Sequence, residues 1–270
     1  MREYSSAHCV FQGLLNIAAI ATKDADLEAR PETAASRLLW AAGYFTTVDY
    51  FLPELRVENL PARLHRGQEL VAPDGTMHDA LLKRAPGEKK IGAWRWRMNP
   101  FATTREYNGL RVMMALINNW DLKDENNSVY GKKDPNGIGN SGDFYMVSDL
   151  GATFGSTGRA WPARKAKGDL QSYGHSAFIR KVTGDEVDFA VPTRPALFYL
   201  ADPPAFLRRL RMRWIGKDIP RADARWIGQL LAMLSEDQIR DAFRAAGYAP
   251  PQVEGFAQAV RKRIAALNRL

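Results

Sequence analysis

Residues 118–155 constrain the fold of this chain more than any other stretch. They open with Asn118-Asn119-Trp120-Asp121-Leu122-Lys123-Asp124-Glu125-Asn126-Asn127-Ser128-Val129-Tyr130 and close with Phe144-Tyr145-Met146-Val147-Ser148-Asp149-Leu150-Gly151-Ala152-Thr153-Phe154-Gly155. Between the two apolar runs lies a polar insert, Gly131 to Asp143, rich in Gly, Asn, Asp and Lys, the composition of a hairpin turn. The pattern predicts two neighbouring strands with an acidic signature at each: Asp121-Leu122-Lys123 with Asn126 before the hairpin, and Asp149-Leu150-Gly151 after it. Such a hairpin gathers Asp121, Lys123, Asn126 and Asp149 at one edge of a small sheet.

That set of groups suits phosphoryl transfer. One carboxylate takes or orients the proton of an attacking hydroxyl, and a lysine neutralises charge growing on the phosphate. An amide oxygen and a second carboxylate can hold magnesium. On these residues the chain resembles the protein-kinase-like superfamily. Asp121-Leu122-Lys123-Asp124-Glu125-Asn126 is similar to its catalytic loop, and Asp149-Leu150-Gly151 to its metal-binding Asp-Phe-Gly. Asn119-Trp120 stands where His-Arg usually precedes the catalytic Asp, no Ala-Pro-Glu follows, and the insert is longer than usual. The likeness is nearer to the atypical, lipid-kinase-like or secreted-kinase-like branches than to ordinary Ser/Thr kinases.

The resemblance implies an α+β, two-lobed fold. Residues 1–100 would form a small antiparallel-sheet lobe with one helix, and residues 101–270 a mainly helical lobe carrying the catalytic-loop hairpin. It also implies ATP and Mg as cofactors, with Asp121 and Lys123 catalytic and Asn126 and Asp149 on metal. Lys23, at the end of the apolar run Ile17 to Thr22, would contact the nucleotide phosphates with Glu32 as its ion-pair partner. Asp24, Asp26 and Glu28 beside Lys23 equally suit a solvated loop, and Glu32 equally suits the positive end of a helix dipole. Only Gly13 stands upstream of Lys23 in place of a Gly-rich turn, so the small lobe is divergent or truncated there. The function implied is an ATP- and Mg-dependent phosphotransferase, its acceptor a protein, a lipid or a small molecule. The alternative is a catalytically inactive pseudokinase that keeps the fold as a binding module.

The rest of the 270 residues bounds these expectations. A formal charge of +8 suits an anionic ligand such as a nucleotide, and equally a basic surface that keeps the chain in solution. One cysteine, Cys9, excludes an intramolecular disulfide, and His8, His65, His78 and His175 have no metal-ligand spacing. No apolar run reaches membrane-spanning length; Val10 to Ala21 is short and interrupted, a buried strand or helix rather than a leader peptide. A cytoplasmic location is expected, with export left open.

Pro31 to Gly43 reads as a helix with Pro31 in its first turn. Strands are expected at Leu52–Glu58 and, by strict alternation, at Ile91–Met98. Trp94 and Trp96 interleaved with Arg95 and Arg97 meet a crude description of a nucleic-acid patch. Two core Trp with two exposed Arg is the better account, so nucleic acid is not the expected partner. Thr103-Thr104-Arg105-Glu106 offers a capping residue ahead of a helix running to Asn118, with Leu110, Met113, Met114 and Ile117 on its core face. The Gly-, Lys- and Arg-rich stretch from Gly155 to Gly174 suits either a docking segment or an exposed loop. A hairpin follows at 178–191. The C-terminal third reads as helices, among them a short basic one over Pro204–Trp214. Ser235 has capping-box spacing, and Arg261, Lys262 and Arg263 fall near the end of the last helix.

Overall fold

The computed structural model describes residues 6–11, 17–22, 25–58, 68–84, 86–131, 142–156, 167–191, 207 and 210–270, those before residue 28 by backbone alone. Lys23 lies outside these residues. The architecture is α+β, built on small antiparallel sheets. The first sheet has the order β1-β2-β4-β3, from Ser6–Phe11, Ile17–Thr22, Thr76–Arg84 and Val48–Arg56. Ala18 stands opposite Lys83 across the β2–β4 pair, and Asp49 opposite Lys83 across β3–β4. The register therefore puts Lys83 at the centre of the sheet.

Helix α1, Ala25–Ala41, packs on this sheet. It begins earlier than expected and carries Pro31 inside rather than in its first turn. A proline there forfeits one backbone hydrogen bond. The turn before it stays helical because Ala29 is buried against Phe51 and Leu81 of the sheet, and because Glu28 is ion-paired with Lys167. The helix ends as expected at Gly43, whose φ of +83° permits a left-handed stop; the Gly43 and Tyr44 N–H groups bond back to Trp40 and Leu39.

A second sheet, β5-β6-β7 (Lys89–Gly92, Asn127–Gly131, Phe144–Val147), contains the expected hairpin, with Asn127 opposite Val147 and Tyr130 opposite Phe144. The signatures flank this hairpin at its open end rather than lying on its strands. Past Gly92 the chain turns, so the expected strand to Met98 is not formed. The burial alternation survives without it: Trp94 and Trp96 are buried while Arg95 and Arg97 are exposed. Asp124 accepts the Trp96 N–H at 2.9 Å and so ties this turn to the first acidic signature.

Helix α2, Arg105–Leu116, starts at Thr104, whose hydroxyl accepts the Tyr107 N–H. Every residue from Tyr107 to Leu116 is buried, so this is the central helix of the molecule. A short helix α3 (Leu170–His175) leads to the hairpin β8–β9 (Ile179–Thr183, Glu186–Phe189), to which β10 (Ile219–Pro220) adds. Of the expected basic helix over Pro204–Trp214 only a few residues are described; a 3-10 turn spans Met212–Gly216. Helices α4 (Arg221–Ala232), α5 (Glu236–Arg244) and α6 (Pro250–Asn268) close the structure, α5 opening on the expected Ser235 capping box. One continuous hydrophobic core joins Leu38 and Leu39 of α1, Trp94 and Trp96, α2 and the last three helices.

Candidate functional site

The site is positioned by the end of α2. The Ala115 and Leu116 carbonyls, which have no partner within the helix, both accept hydrogen bonds from Nη1 of the buried Arg263 on α6. Arg263, which its place near the end of the last helix suggested would favour that helix's own dipole, instead serves the end of another helix. α6 runs on to Asn268 and turns the guanidinium into the core, over the Tyr173 ring at 4.1 Å. The chain then reverses at Asn118, whose φ is +58°. Two backbone bonds, Trp120 N–H to the Ala152 carbonyl (3.2 Å) and Phe154 N–H to the Ile117 carbonyl (2.8 Å), lace the first signature to the second.

Within the first signature, the Asn119 side chain accepts the Asp121 N–H at 2.9 Å. Lys123 Nζ donates to Asp121 Oδ2 at 2.9 Å, and Asn126 Nδ2 donates to the Asp121 carbonyl at 2.8 Å. The Asn126 carbonyl in turn accepts from both the N–H and the hydroxyl of Ser148, next to Asp149. Asp149 has φ +58° and Phe154 φ +50°. Left-handed backbone at such residues costs energy and concentrates at functional loops.

The α1 helix is tied to the same loop, since Thr153 Oγ1 donates to the Pro31 carbonyl at 3.3 Å. Glu32 on this helix is almost wholly buried and accepts a hydrogen bond from Lys83 Nζ at 2.5 Å. Sequence reasoning placed the lysine at Lys23, upstream of the helix. Among the described residues the lysine on Glu32 is Lys83, 51 residues downstream on β4. Asp49, which sequence reasoning passed over, is buried beside it. Its one signal was a lone acid in the apolar run Val48-Asp49-Tyr50-Phe51-Leu52.

Electrostatics join these groups into one cluster. Burial pushes the Asp149 carboxyl up to about 6, helped by the charge of Glu32 and opposed by Lys83. Asp121 raises it further and Lys123 lowers it. Asp49 is pushed up to about 7, first by burial and then by Glu32, with Lys83 and the Thr47 hydroxyl opposing. Burial works against the Lys83 ammonium, but Glu32 and Asp49 more than offset it and hold its pKa above the ordinary lysine value. Among the described residues four carboxyl groups (Glu32, Asp49, Asp121, Asp149) thus face two ammonium groups (Lys83, Lys123), fewer cations than acids.

Asp121, Lys123, Asn126, Asp149 and Glu32 are therefore gathered by the fold, with Lys83 and Asp49 added. Among the described residues no three His, Cys, Asp or Glu side chains are grouped to hold a metal by themselves. A cation here would draw on one carboxylate and one amide oxygen, with the remaining ligands supplied from outside the chain. Hard oxygen donors of this kind suit magnesium. With its Nδ2 committed to the Asp121 carbonyl, Asn126 keeps Oδ1 as an acceptor, so the donor set fits. No helix among the described residues is long and apolar enough to cross a membrane.

Neither protein-family models nor curated proteins provide a match for this chain. Among solved structures, the whole chain aligns with 67% of a chain in the HipA, HipB and operator DNA complex of the Shewanella oneidensis MR-1 toxin–antitoxin system, at a TM-score of 0.44 and 12% identity. A likeness that slight decides nothing about function.

Proposed function

We propose that the chain is an ATP- and magnesium-dependent phosphotransferase of divergent kinase-like fold, two-lobed around the cleft at Lys83 and Asp149. The observation that carries this reading is the Lys83–Glu32 ion pair, formed between sheet and helix and electrostatically coupled to Asp149. Kinase chemistry asks for a lysine fixed on a helix glutamate, a metal-holding aspartate, and a hydroxyl-orienting aspartate beside them. In this reading Lys83 takes the phosphate-contacting role that the sequence assigned to Lys23.

The residues divide the work by position. Lys83, fixed by Glu32, binds phosphate oxygens of ATP. Lys123 occupies Asp121 Oδ2, leaving Oδ1 to receive the acceptor hydroxyl's proton. As the acceptor oxygen bonds to the γ-phosphorus, the bond from that phosphorus to the bridging oxygen breaks and ADP leaves. Lys123 then stands beside the oxygens on which charge develops. Asn126 Oδ1 and Asp149 would hold magnesium, which supplies charge neutralisation at the phosphates.

The strained φ at Asp149 and the shortage of positive charge both support a site built for a cationic ligand bound with its nucleotide. The test is calorimetry of ATP binding with and without magnesium, on wild type and Asp149→Ala. Magnesium-dependent binding that disappears in the variant is expected. Absence of nucleotide binding under every metal condition would overturn the reading.

A further inference from the structure

A cavity lined by none of the Lys83–Asp149 cluster has the opposite electrostatics. It has a volume of about 310 Å³ and lies between the β8–β9 hairpin and the Met212–Gly216 turn, lined by Arg180, Lys181, Asp188, Phe189, Val191, Arg213 and Lys217. Arg180 and Lys181 are adjacent in sequence, and on a regular strand they would point to opposite faces. The β8–β9 register shifts between Ile179 and Lys181, and a bulge of this kind breaks the alternation, so that both side chains line one basin. Arg213 and Lys217 come from the other side.

We propose that this basin is a binding site for a phosphate group. Among the described residues four cations face a single carboxylate there. That carboxylate, Asp188, already accepts the Asp218 N–H through Oδ1 at 3.0 Å. Among the described residues Arg180, Lys181 and Lys217 make no salt bridge, and all three are exposed. A phosphate monoester brings close to two negative charges and three acceptor oxygens, which suit an arginine fork and lysine point charges acting together.

The wall that carries Arg213 and Lys217 is anchored from beneath. Buried Arg111 of α2 donates to the carbonyls of Trp214, Ile215 and Lys217, and its guanidinium lies over the Trp214 ring. The cations are thus presented by a fixed backbone, and binding does not have to order a loop. Phe189 and Val191 give the basin an apolar floor, which leaves room for the group that carries the phosphate. None of the cleft residues lines it, so the proposal does not depend on the cleft chemistry.

The test is residue-resolved amide NMR on the full chain, titrated with inorganic phosphate and with sodium chloride at matched ionic strength. A phosphoserine peptide and its unphosphorylated twin follow. Saturable shifts at Arg180, Lys181, Arg213 and Lys217 are expected with phosphate and not with chloride. Arg180→Gln and Lys217→Gln should each weaken binding about tenfold, as expected for loss of one charge-assisted contact, with no change in thermal midpoint. Asp149→Ala should leave the basin's affinity unchanged, which separates failure here from failure in the cleft. Tighter binding of the phosphopeptide would make a phosphorylated side chain the source, and equal binding would make it the free anion. Identical shifts with chloride, or undiminished binding in both variants, would overturn the site.

Discussion

Two regions of this molecule bury charge, and they do so in opposite ways. Around Arg263 and Arg111 every guanidinium is spent on neutral acceptors. Arg263 donates to the carbonyls of Ala115, Leu116, Tyr173 and Ser176 and to the Ser176 hydroxyl, and Arg111 to three carbonyls and Asn108. In the cluster around Lys83, among the described residues, Glu32, Asp49, Asp121 and Asp149 outnumber Lys83 and Lys123, and burial raises two of these carboxyls. A buried charge with its hydrogen bonds complete holds the fold together. A buried cluster left short of countercharge is costly to the fold, and such clusters gather where ligands bind.

The first way to break this contrast is at Arg263. Arg263→Leu removes a buried guanidinium with all five of its hydrogen bonds, leaving the Ala115, Leu116 and Tyr173 carbonyls only their remaining donors at Asn118, Tyr173 and Ser176, and should cost about 3 kcal/mol. Chemical denaturation checks this, with nucleotide affinity per folded molecule expected to stay within a few-fold of wild type.

Lys83→Met comes next. It strands Glu32 in the interior and should cost roughly 3 kcal/mol, most of it recovered in the double variant with Glu32→Gln. Both variants should lose nucleotide binding, while Lys23→Ala should retain it. Retained binding in Lys83→Met would remove the lysine from the site.

A subtler effect is expected at Asp49. Its carboxyl is raised by burial from the ordinary 3.8 to about 7. The stability associated with the protonated form is complete below pH 4 and is lost as the pH rises towards 7. Within that window the loss should approach about 1.4 kcal/mol per pH unit, the linkage slope for one proton. Asp49→Asn should flatten the curve, and its margin over wild type should grow between pH 4 and pH 7. Thermal melts across that range measure it, and parallel curves for the two proteins would contradict the buried-charge description.

What the sequence made legible follows the range of the interactions. Asp121, Lys123, Asn126 and Asp149 lie within one local hairpin, and local composition was enough to bring them together. Glu32 was visible because a helix signature surrounds it. Lys83 was not, because its meeting with Glu32 is set by the strand order β1-β2-β4-β3, in which a distant strand is inserted beside β2. Local pattern carries no trace of that insertion. Arg263 was misjudged for the same reason: its partners Ala115 and Leu116 are about 150 residues away, on another helix. The Trp94–Arg97 alternation forecast burial correctly but the wrong backbone, since a turn tied to Asp124 can also bury every second residue. Pro31 pointed to a helix start, and only the packing of Ala29 on the sheet carries the helix past it.

The central claim is that the cleft's negative excess awaits a cation bound with nucleotide. Calorimetry of Mg–ATP binding near pH 6, in two buffers of different ionisation enthalpy, measures the protons exchanged on binding. With Asp149 titrating at about 6, a cation arriving beside it should displace roughly half a proton. The account predicts net release by wild type and a smaller release by Asp149→Asn. Binding with no proton exchange, or equal release by both proteins, would contradict it.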